Sequence, residues 1–299
     1  LDNISHLVPR VNSKGRFNLI YADLRDVLSI DEMMKEVQPD YIFHLAAQSY
    51  PKTSFSAPLD TFDTNIQGTE RVLASARKHS PAAVIHVCSS SEVFGRVSKD
   101  KLPIDEECSF HPASPYAISK VGTDLIGRFY AEAYGMNVQV TRMFTHTGPR
   151  RGDVFAESSF AKQIAMIENG LIDPIVKVGN LKSLRTIADV RDAVRGYFDL
   201  VTKDPIPGAY YNIGGTRTMQ IGEMLDYLIS ISKLPNGIKV AVDSSRLRPI
   251  DADLQVPDTS KFENHTGWVP QITFEETMKD LLGYWRDRIE AQGNSFLSR

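Results

Sequence analysis

The sequence predicts an α/β fold in which a Rossmann-like, doubly wound parallel sheet is followed by a smaller mixed α/β lobe. Short apolar runs bounded by turn residues alternate with longer helical patterns from Phe17 to Phe144, which is typical of repeated βαβ units. After residues 148–152 the alternation becomes more mixed. We therefore expect one domain over residues 1–150 and a second lobe over residues 151–299, from which some segments return to the first sheet.

Each element of the first half rests on a local pattern. Apolar runs predict strands at residues 18–22, 41–45, 83–88 and 138–142. Ser29 followed by Glu32 fits a capping box, which predicts a helix from there to about Val37. Longer helical patterns predict helices over residues 58–78 and 115–134, and Gly135 is the expected C-cap of the second.

The second half predicts shorter elements in a mixed order. Helices are expected at about residues 159–168, 189–201, 221–232 and 274–291, and strands at residues 175–178, 210–213 and 238–242. This order is typical of a mixed α/β lobe that packs against a larger sheet.

The composition indicates which classes of protein the chain can belong to. With 299 residues, 42% hydrophobic residues, 24% charged residues and a net charge of -3, the chain has the profile of a soluble globular protein. Nothing in it indicates a nucleic-acid partner, a membrane partner or a metal site. Cys88 and Cys108, in a sequence without a signal-like start, predict free thiols in the reducing cytoplasm.

Polar residues come directly after the predicted strands of the first half. They are Asp23, residues 46–49, residues 89–92, and Thr145 with His146. Each group has a structural alternative, because Asp23 could cap the next helix, the serines could satisfy strand-end amides and His146 could be a buried core histidine. Ligands of open parallel sheets bind outside the carboxyl ends of the strands, so the four groups together indicate one binding site at that edge.

Tyr116 and Lys120 are the main catalytic candidates. A helix places residues four positions apart on one face, so the ammonium can lie close to the phenol. A nearby positive charge lowers a tyrosine pKa that starts at about 10, as required of the general base in an alcohol oxidation by hydride transfer. Because the chain has 11 Tyr, the pair alone could be a coincidence on a solvated helix. The cluster of Ser90 and Glu92 before it favours the catalytic interpretation.

Eight motifs spread over the chain carry a family resemblance. They stand at residues 21–24, 44–49, 90–95, 114–120, 148–152, 178–181, 211–215 and 248–253. Together they resemble the nucleotide-sugar branch of the extended short-chain dehydrogenase/reductase superfamily, which contains GDP-mannose 4,6-dehydratases and GDP-4-keto-6-deoxymannose reductases. That superfamily begins with a strand and a glycine-rich turn whose amides hold the cofactor pyrophosphate. This sequence has no counterpart, so we expect the first βα unit of the fold to be missing.

The resemblance implies an NADP cofactor, with NAD as the alternative. The residues that it assigns to cofactor binding are Asp23, Leu24, Leu45, Ala46, Ala47, Asn65, Tyr116, Lys120, His146 and Arg151. Asp23 and Leu24 resemble the adenine-side contacts, and Lys120 resembles the lysine that also hydrogen-bonds the nicotinamide ribose. Arg151 belongs to a loop that, in the dehydratases, reaches the cofactor of a neighbouring subunit, which implies a homodimer or homotetramer.

The resemblance also implies a nucleotide-sugar substrate, with a GDP-sugar favoured. Its catalytic residues would be Ser90, Glu92, Tyr116 and Lys120, and its substrate-binding residues Gln48, Ser49, Ser91, Thr145, Asn180, Arg185, Arg248 and Asp251. Ser90 takes the place of the residue that binds the sugar 4-hydroxyl. Arginine forks suit a diphosphate and a carboxylate suits a ribose diol, which is the basis for Arg185, Arg248 and Asp251.

Glu92 distinguishes the functional alternatives only in part. Once C4 of the sugar is a ketone, a carboxylate here could remove the C5 proton while the C6 hydroxyl leaves as water, which is the reaction of a 4,6-dehydratase. The reductases of the branch carry a similar Ser-Ser-Glu, Thr145 replaces an asparagine usual in the dehydratases, and the sequence around Ser159 resembles the reductases. We expect a dehydratase; a 4-keto-6-deoxy-sugar reductase or 4-epimerase is the alternative, and a non-catalytic nucleotide-binding protein the alternative of another class.

Overall fold

A four-stranded parallel sheet forms the centre of the first half of the molecule. The computed structural model describes Ile4, Leu7, residues 17–250 and residues 252–292. The strands of the sheet are β1 (Tyr41–His44), β2 (Val84–Cys88), β3 (Val138–Met143) and β7 (Tyr210–Ile213), in the spatial order β1-β2-β3-β7. All neighbouring pairs are parallel, with Ile85 opposite Val138 for example. The parallel α/β sheet that the sequence predicts is therefore confirmed.

Helices follow these strands and continue into the second half. In the first half they are α1 (Val27–Val37), α2 (Pro51–Ser56), α3 (Pro58–Phe62), α4 (Gly68–His79) and α5 (Pro115–Tyr134), with a π-helical stretch at Asp63–Gln67 between α3 and α4. In the second half they are α6 (Ala156–Glu168), α7 (Val190–Thr202), α8 (Ile221–Ser230), α9 (Ser260–Thr266) and α10 (Phe274–Gln292). None of the described helices is long and apolar enough to cross a membrane.

The second half adds two small sheets. Its strands are β4 (His146–Thr147), β5 (Ile175–Val178), β6 (Leu184–Asp189), β8 (Arg217–Gln220), β9 (Lys239–Val242) and β10 (Leu254–Gln255). β6 lies between β10 and β4 and also pairs antiparallel with β8, while β5 pairs parallel with β9. Short 3₁₀ turns stand at Ser91–Val93, Lys99–Lys101 and Ser244–Arg246.

Both faces of the parallel sheet are covered, because alternate side chains of each strand point to opposite faces. On one face α1, α4 and α5 pack against β2 and β3, in a core that includes Leu73, Ile85, Val87, Tyr130 and Val138. On the other face α7 and α9 pack through Tyr197, Leu200, Ile213, Phe262 and Trp268. A third core joins α6, α8 and α10 through Ile164, Leu225, Met278 and Trp285. Each fully buried aliphatic side chain contributes about 1.5–3 kcal/mol.

Two predictions for the start of the chain are wrong, and both have a physical reason. Residues 18–22 form no strand, because no described strand offers them a ladder of hydrogen bonds. Helix α1 begins at Val27 rather than Ser29, because Asp26 caps it by accepting a hydrogen bond of 3.0 Å from the amide of Leu28. Ser29 instead donates to the carbonyl of Asp26 at 3.2 Å.

The other differences concern short elements. The predicted helix over residues 58–78 is divided by the π-helical stretch, and α6 begins at Ala156 rather than at Ser159. The sequence patterns gave no sign of α2, α9, β4, β6, β8 or β10. β6 is held by β4, β8 and β10, which come from distant parts of the chain, so its local sequence does not reveal the pairing.

Candidate active site

A cleft of about 760 Å³ opens at the carboxyl ends of β1, β2 and β3, and loops of the second half form its other wall. The predicted site residues that line it are Leu45, Ala47, Ser49, Ser90, Ser91, Glu92, Tyr116, Lys120, Thr145, His146, Arg151, Asn180, Arg185 and Arg248. This is the edge at which open parallel sheets bind ligands.

Helix α5 carries the tyrosine and the lysine into this cleft. The Ser114 hydroxyl accepts a hydrogen bond of 3.0 Å from the amide of Ala117, and Pro115 occupies the first helical turn, so the start of the helix is fixed just before Tyr116. Tyr116 is 8% exposed and Lys120 is 5% exposed. Both side chains are therefore buried at the bottom of the cleft.

Lys120 connects α5 to the end of β2. Its ammonium donates a hydrogen bond of 2.7 Å to the carbonyl of Cys88, and the Ser89 hydroxyl donates to the Lys120 carbonyl at 3.1 Å. Burial lowers the pKa of Lys120, because the charged form loses hydration. The lysine is thus held in one position by two residues of the strand end.

Tyr116 differs from the sequence expectation. Burial raises its pKa well above 10, and a hydrogen bond with Ser90 acts in the opposite direction without outweighing it. The ammonium of Lys120 is directed to the Cys88 carbonyl, and the charges that act most on the phenol are those of Cys88, Glu92 and Arg151. The pKa of Tyr116 is therefore raised, whereas the sequence led us to expect that Lys120 lowers it.

The turn after β2 presents the serine and the glutamate. The Ser90 hydroxyl accepts a hydrogen bond of 3.2 Å from the amide of Glu92 and so caps the 3₁₀ turn that begins at Ser91. The carboxylate of Glu92 lies 3.6 Å from a guanidinium nitrogen of Arg248, which belongs to the opposite wall. Ser90, Glu92 and Tyr116 thus meet at one end of the cleft.

His146 and Arg151 form the neighbouring part of the wall. Burial, helped by the charge of Arg151, lowers the pKa of His146 to about 4, so the imidazole is neutral at physiological pH. Its Nδ1 donates to the Phe144 carbonyl at 3.2 Å. Arg151 lies over the ring of Phe155 at 3.4 Å from the ring centroid, and its Nε is 3.3 Å from the Glu157 carboxylate.

The second half supplies Asn180, Arg185 and Arg248 to the cleft. The Asn180 amide donates to the carboxylate of Asp253 at 3.0 Å, and Arg185 donates to the carbonyl of Leu184 at 3.1 Å. Asp251 lies outside the described residues.

Five predicted cofactor or substrate residues do not line the cleft: Asp23, Leu24, Ala46, Gln48 and Asn65. Asp23 is exposed and pairs with Arg25 at 2.9 Å, and its contact with the cofactor stays a prediction. Asn65 is 1% exposed, and its amide binds both backbone groups of Gln48, at 2.8 and 3.0 Å. Asn65 therefore supports the segment after β1 from behind, and a direct cofactor contact stays a prediction.

The sequence patterns did not identify Lys52, Arg246 and Tyr197, which also line the cleft. Lys52 donates to the Ser245 carbonyl at 2.7 Å, and Arg246 donates to the Ser159 hydroxyl at 3.0 Å. Tyr197 comes from the buried face of α7. The one available signal was the position of Arg246 two residues before Arg248, because Ser245 and Ser159, to which Lys52 and Arg246 donate, come from distant segments.

The geometry defines the class of the protein. A parallel α/β sheet, a helix that presents a buried tyrosine and lysine, and a serine from the neighbouring strand end are together characteristic of short-chain dehydrogenase/reductase proteins. Within this class, the family model described as GDP-mannose 4,6 dehydratase matches residues 1–281. The chain belongs to this family of enzymes.

Similar proteins carry two different activities in their names. The GDP-6-deoxy-D-mannose reductase of Pseudomonas aeruginosa is 30% identical over 270 residues, which cover 90% of this chain and 88% of that protein. The GDP-mannose 4,6-dehydratase of Yersinia enterocolitica is 31% identical over 295 residues, which cover 89% of this chain and 78% of that protein. The solved structure of RMD from Pseudomonas aeruginosa complexed with NADPH is 28% identical, covers 96% of each chain and has a TM-score of 0.83.

Proposed function

We propose that the protein is a nucleotide-sugar 4,6-dehydratase that acts on GDP-mannose or a related GDP-sugar. The observation that carries the proposal is the meeting of Ser90, Glu92 and Tyr116 at one end of the cleft. A tyrosine and a serine can support oxidation of a carbinol carbon, and a carboxylate beside them can remove the neighbouring proton. The family and the similarity to the Yersinia dehydratase support the same reaction.

The proposed cofactor is NADP, with NAD as the alternative. The donor set fits a nicotinamide nucleotide, because Leu45 and Ala47 offer an apolar wall while Tyr116 and Lys120 offer a hydroxyl and an ammonium. The NADPH of the similar Pseudomonas structure supports this assignment. When bound, the nicotinamide would supply the acceptor for the C4 hydride and the donor that returns it to C6.

The side chains have distinct roles in the proposed reaction. Ser90 holds the sugar 4-hydroxyl, and Tyr116 takes its proton as the C4–H bond breaks. Glu92 then takes the C5 proton, the C5–H electron pair forms the C5–C6 double bond, and the C6–O bond breaks. The proton on Glu92 passes to the departing hydroxyl, so that one water leaves. When the hydride has returned to C6, the proton that Tyr116 took from the 4-hydroxyl would restore the C5–H bond, and the charges balance.

A 4-keto-6-deoxy-sugar reductase is the second candidate. The sequence around Ser159 resembles the reductases, and in the structure this serine lies in the cleft wall, where it accepts a hydrogen bond of 3.0 Å from Arg246. The 30% identity to the Pseudomonas reductase favours the same alternative.

Two incubations separate these candidates, one with GDP-mannose and catalytic NADP and one with a GDP-4-keto-6-deoxy sugar and NADPH. The protein is mixed with GDP-mannose and catalytic NADP, and the product is analysed by mass spectrometry. A dehydratase gives a product lighter by one water without net formation of NADPH. Consumption of NADPH with a GDP-4-keto-6-deoxy sugar, without loss of water from GDP-mannose, would instead establish a reductase. Absence of GDP-sugar binding would favour a non-catalytic role.

The partner and location proposals have separate support. We propose a homodimer or homotetramer, because Ile118, Leu125 and Phe129 form an apolar stripe on α5 and are 46%, 49% and 52% exposed.

The free thiols of Cys88 and Cys108 support a cytoplasmic location. Residues 1–150 are proposed to bind mainly the cofactor, and residues 151–299 mainly the nucleotide sugar.

A further inference from the structure

All four acidic residues that line the cleft in the described part of the chain lie close to basic side chains. The pairs are Asp153 with Lys162 at 2.6 Å, Glu157 with Arg151 at 3.3 Å, Asp243 with Arg246 at 3.4 Å, and Glu92 with Arg248 at 3.6 Å. The first three pairs join residues close in sequence within the second half. The pair of Glu92 and Arg248 is the longest of the four and joins the turn after β2 to the loop after β9.

Arg248 therefore faces two anions in the proposed reaction. One is the carboxylate of Glu92, and the other is the substrate diphosphate for which Arg248 is a proposed ligand. A separation of 3.6 Å is longer than a hydrogen bond, and the two side chains are 26% and 17% exposed. A diphosphate can instead accept two parallel hydrogen bonds from the guanidinium, which is the stronger arrangement.

We propose that Arg248 is a positioning residue that couples diphosphate binding to release of the Glu92 carboxylate. The proposal rests on the dehydratase function proposed above. Arg248 faces Glu92 at 3.6 Å; a bound diphosphate draws the guanidinium away and leaves the carboxylate facing the sugar. The C5 base thus becomes available when the nucleotide end of the cleft is occupied.

A double-mutant cycle measured with GDP alone tests the coupling. Glu92→Gln removes the competitor for Arg248, so GDP should bind about threefold to fivefold more tightly, as expected for loss of a partly exposed ion pair. In the Arg248→Ala background the same substitution should leave GDP affinity unchanged within about 1.5-fold, because the shared guanidinium is gone. Isothermal titration calorimetry is performed on the unmodified protein, the two single variants and the double variant. The four GDP affinities give the coupling free energy between Glu92 and Arg248.

Matched variants separate coupling from a general charge effect. Asp153→Asn removes another cleft carboxylate that pairs with Lys162 rather than Arg248, so it should not tighten GDP binding. Arg248→Lys should recover part of the GDP affinity lost in Arg248→Ala and part of the response to Glu92→Gln, which a merely structural role would not do.

Two results would overturn the proposal. An equal gain in GDP affinity from Glu92→Gln in the presence and absence of Arg248 would mean that the two side chains act independently, while the dehydratase proposal would stand. Failure of the unmodified protein to bind GDP would overturn both the coupling and the assignment of a GDP-sugar substrate.

Discussion

At the residue scale, the environment of Tyr116 determines when it can act. Its burial keeps the pKa of the phenol well above 10, so the phenol holds its proton at neutral pH. Deprotonation leaves a buried negative charge, which only nearby donors can stabilise. Ser90 is one such donor, and Lys120 can become a second if its ammonium turns from the Cys88 carbonyl. Proton removal should therefore require a substrate that orders this group of side chains.

Tyr116→Phe tests this role. The substitution keeps the ring but removes the group that takes the 4-hydroxyl proton, so kcat for oxidation at C4 should fall by about 10²–10⁴. Calorimetric affinity for GDP should change less than about twofold, because the nucleotide end of the cleft is untouched. Tyr134→Phe, which alters a half-exposed tyrosine on the same helix, is the control and should leave kcat unchanged. Normal turnover in Tyr116→Phe would exclude Tyr116 as the base.

Glu92→Gln tests the next step. The amide cannot take the C5 proton, so water loss should fall by at least about 10² while some oxidation at C4 remains. Stopped-flow absorbance should then show NADPH accumulating during the first turnover, and mass spectrometry should show little dehydrated product. Dehydration at the normal rate in this variant would show that the C5 base lies elsewhere.

At the scale of elements, Asp189 joins β6, α7 and α10. Its carboxylate caps α7 at the amide of Arg191, binds the Arg191 guanidinium, and accepts a hydrogen bond of 2.8 Å from Thr277. Burial raises the pKa of Asp189, but the hydrogen bonds from Arg191 and Thr277 outweigh it and hold the pKa below its ordinary value. The charged form is therefore stabilised by folding.

Asp189→Asn should lower the free energy of unfolding at pH 7 by about 2 kcal/mol, because hydrogen bonds to a charged group are lost. A depressed pKa stabilises the fold at pH values above the unfolded pKa of about 3.9, and that stability is lost as the pH falls through the folded value. The difference between the two proteins in urea denaturation should therefore shrink as the pH falls below about 5. Asp280→Asn is the control, because Asp280 binds the same Arg191 but is 39% exposed. A pH-independent difference would contradict the charge argument.

Elements with local signals were predictable from the sequence. Helix α5 agrees with the prediction at both ends, because Ser114 caps its start and Gly135 adopts a left-handed φ of 65° at its end. Residues 18–22 have the composition of a strand, but a strand also needs a partner, which composition cannot provide. The site residues also divide into those with a local sequence signal and those whose partners come from distant parts of the chain. Tyr116 and Lys120 stand in one helical pattern, whereas Lys52 meets its partner Ser245 only through the tertiary fold.

At the scale of the whole molecule, contacts between the two halves cross the cleft. Lys52 donates to the Ser245 carbonyl at 2.7 Å, and Glu92 faces Arg248 at 3.6 Å. Both contacts join an element that follows a strand of the parallel sheet, α2 after β1 and the 3₁₀ turn after β2, to the segment after β9. A ligand that occupies the cleft must therefore meet groups from both halves, so catalysis and nucleotide binding depend on the same relative arrangement.

The exposed stripe of α5 leads to a prediction about assembly. Ile118, Leu125 and Phe129 lie seven and four positions apart and therefore on one helix face, which water would cover in a monomer. Leu125→Glu places a charge in the middle of that face, and burying an unpaired charge in an interface costs several kcal/mol. The variant should shift the protein to monomers in size-exclusion chromatography with light scattering.

Leu234→Glu provides the matched control for assembly, since Leu234 is a leucine of similar exposure, at 42%, that lies after α8 and away from the stripe. It should leave the molar mass unchanged. As isolated subunits, the Leu125→Glu and Leu234→Glu variants should unfold at the same urea midpoint as the unmodified subunit, because neither leucine belongs to a buried core. A monomeric unmodified protein would contradict the proposed assembly, and an oligomer that survives Leu125→Glu would place its interface on another surface.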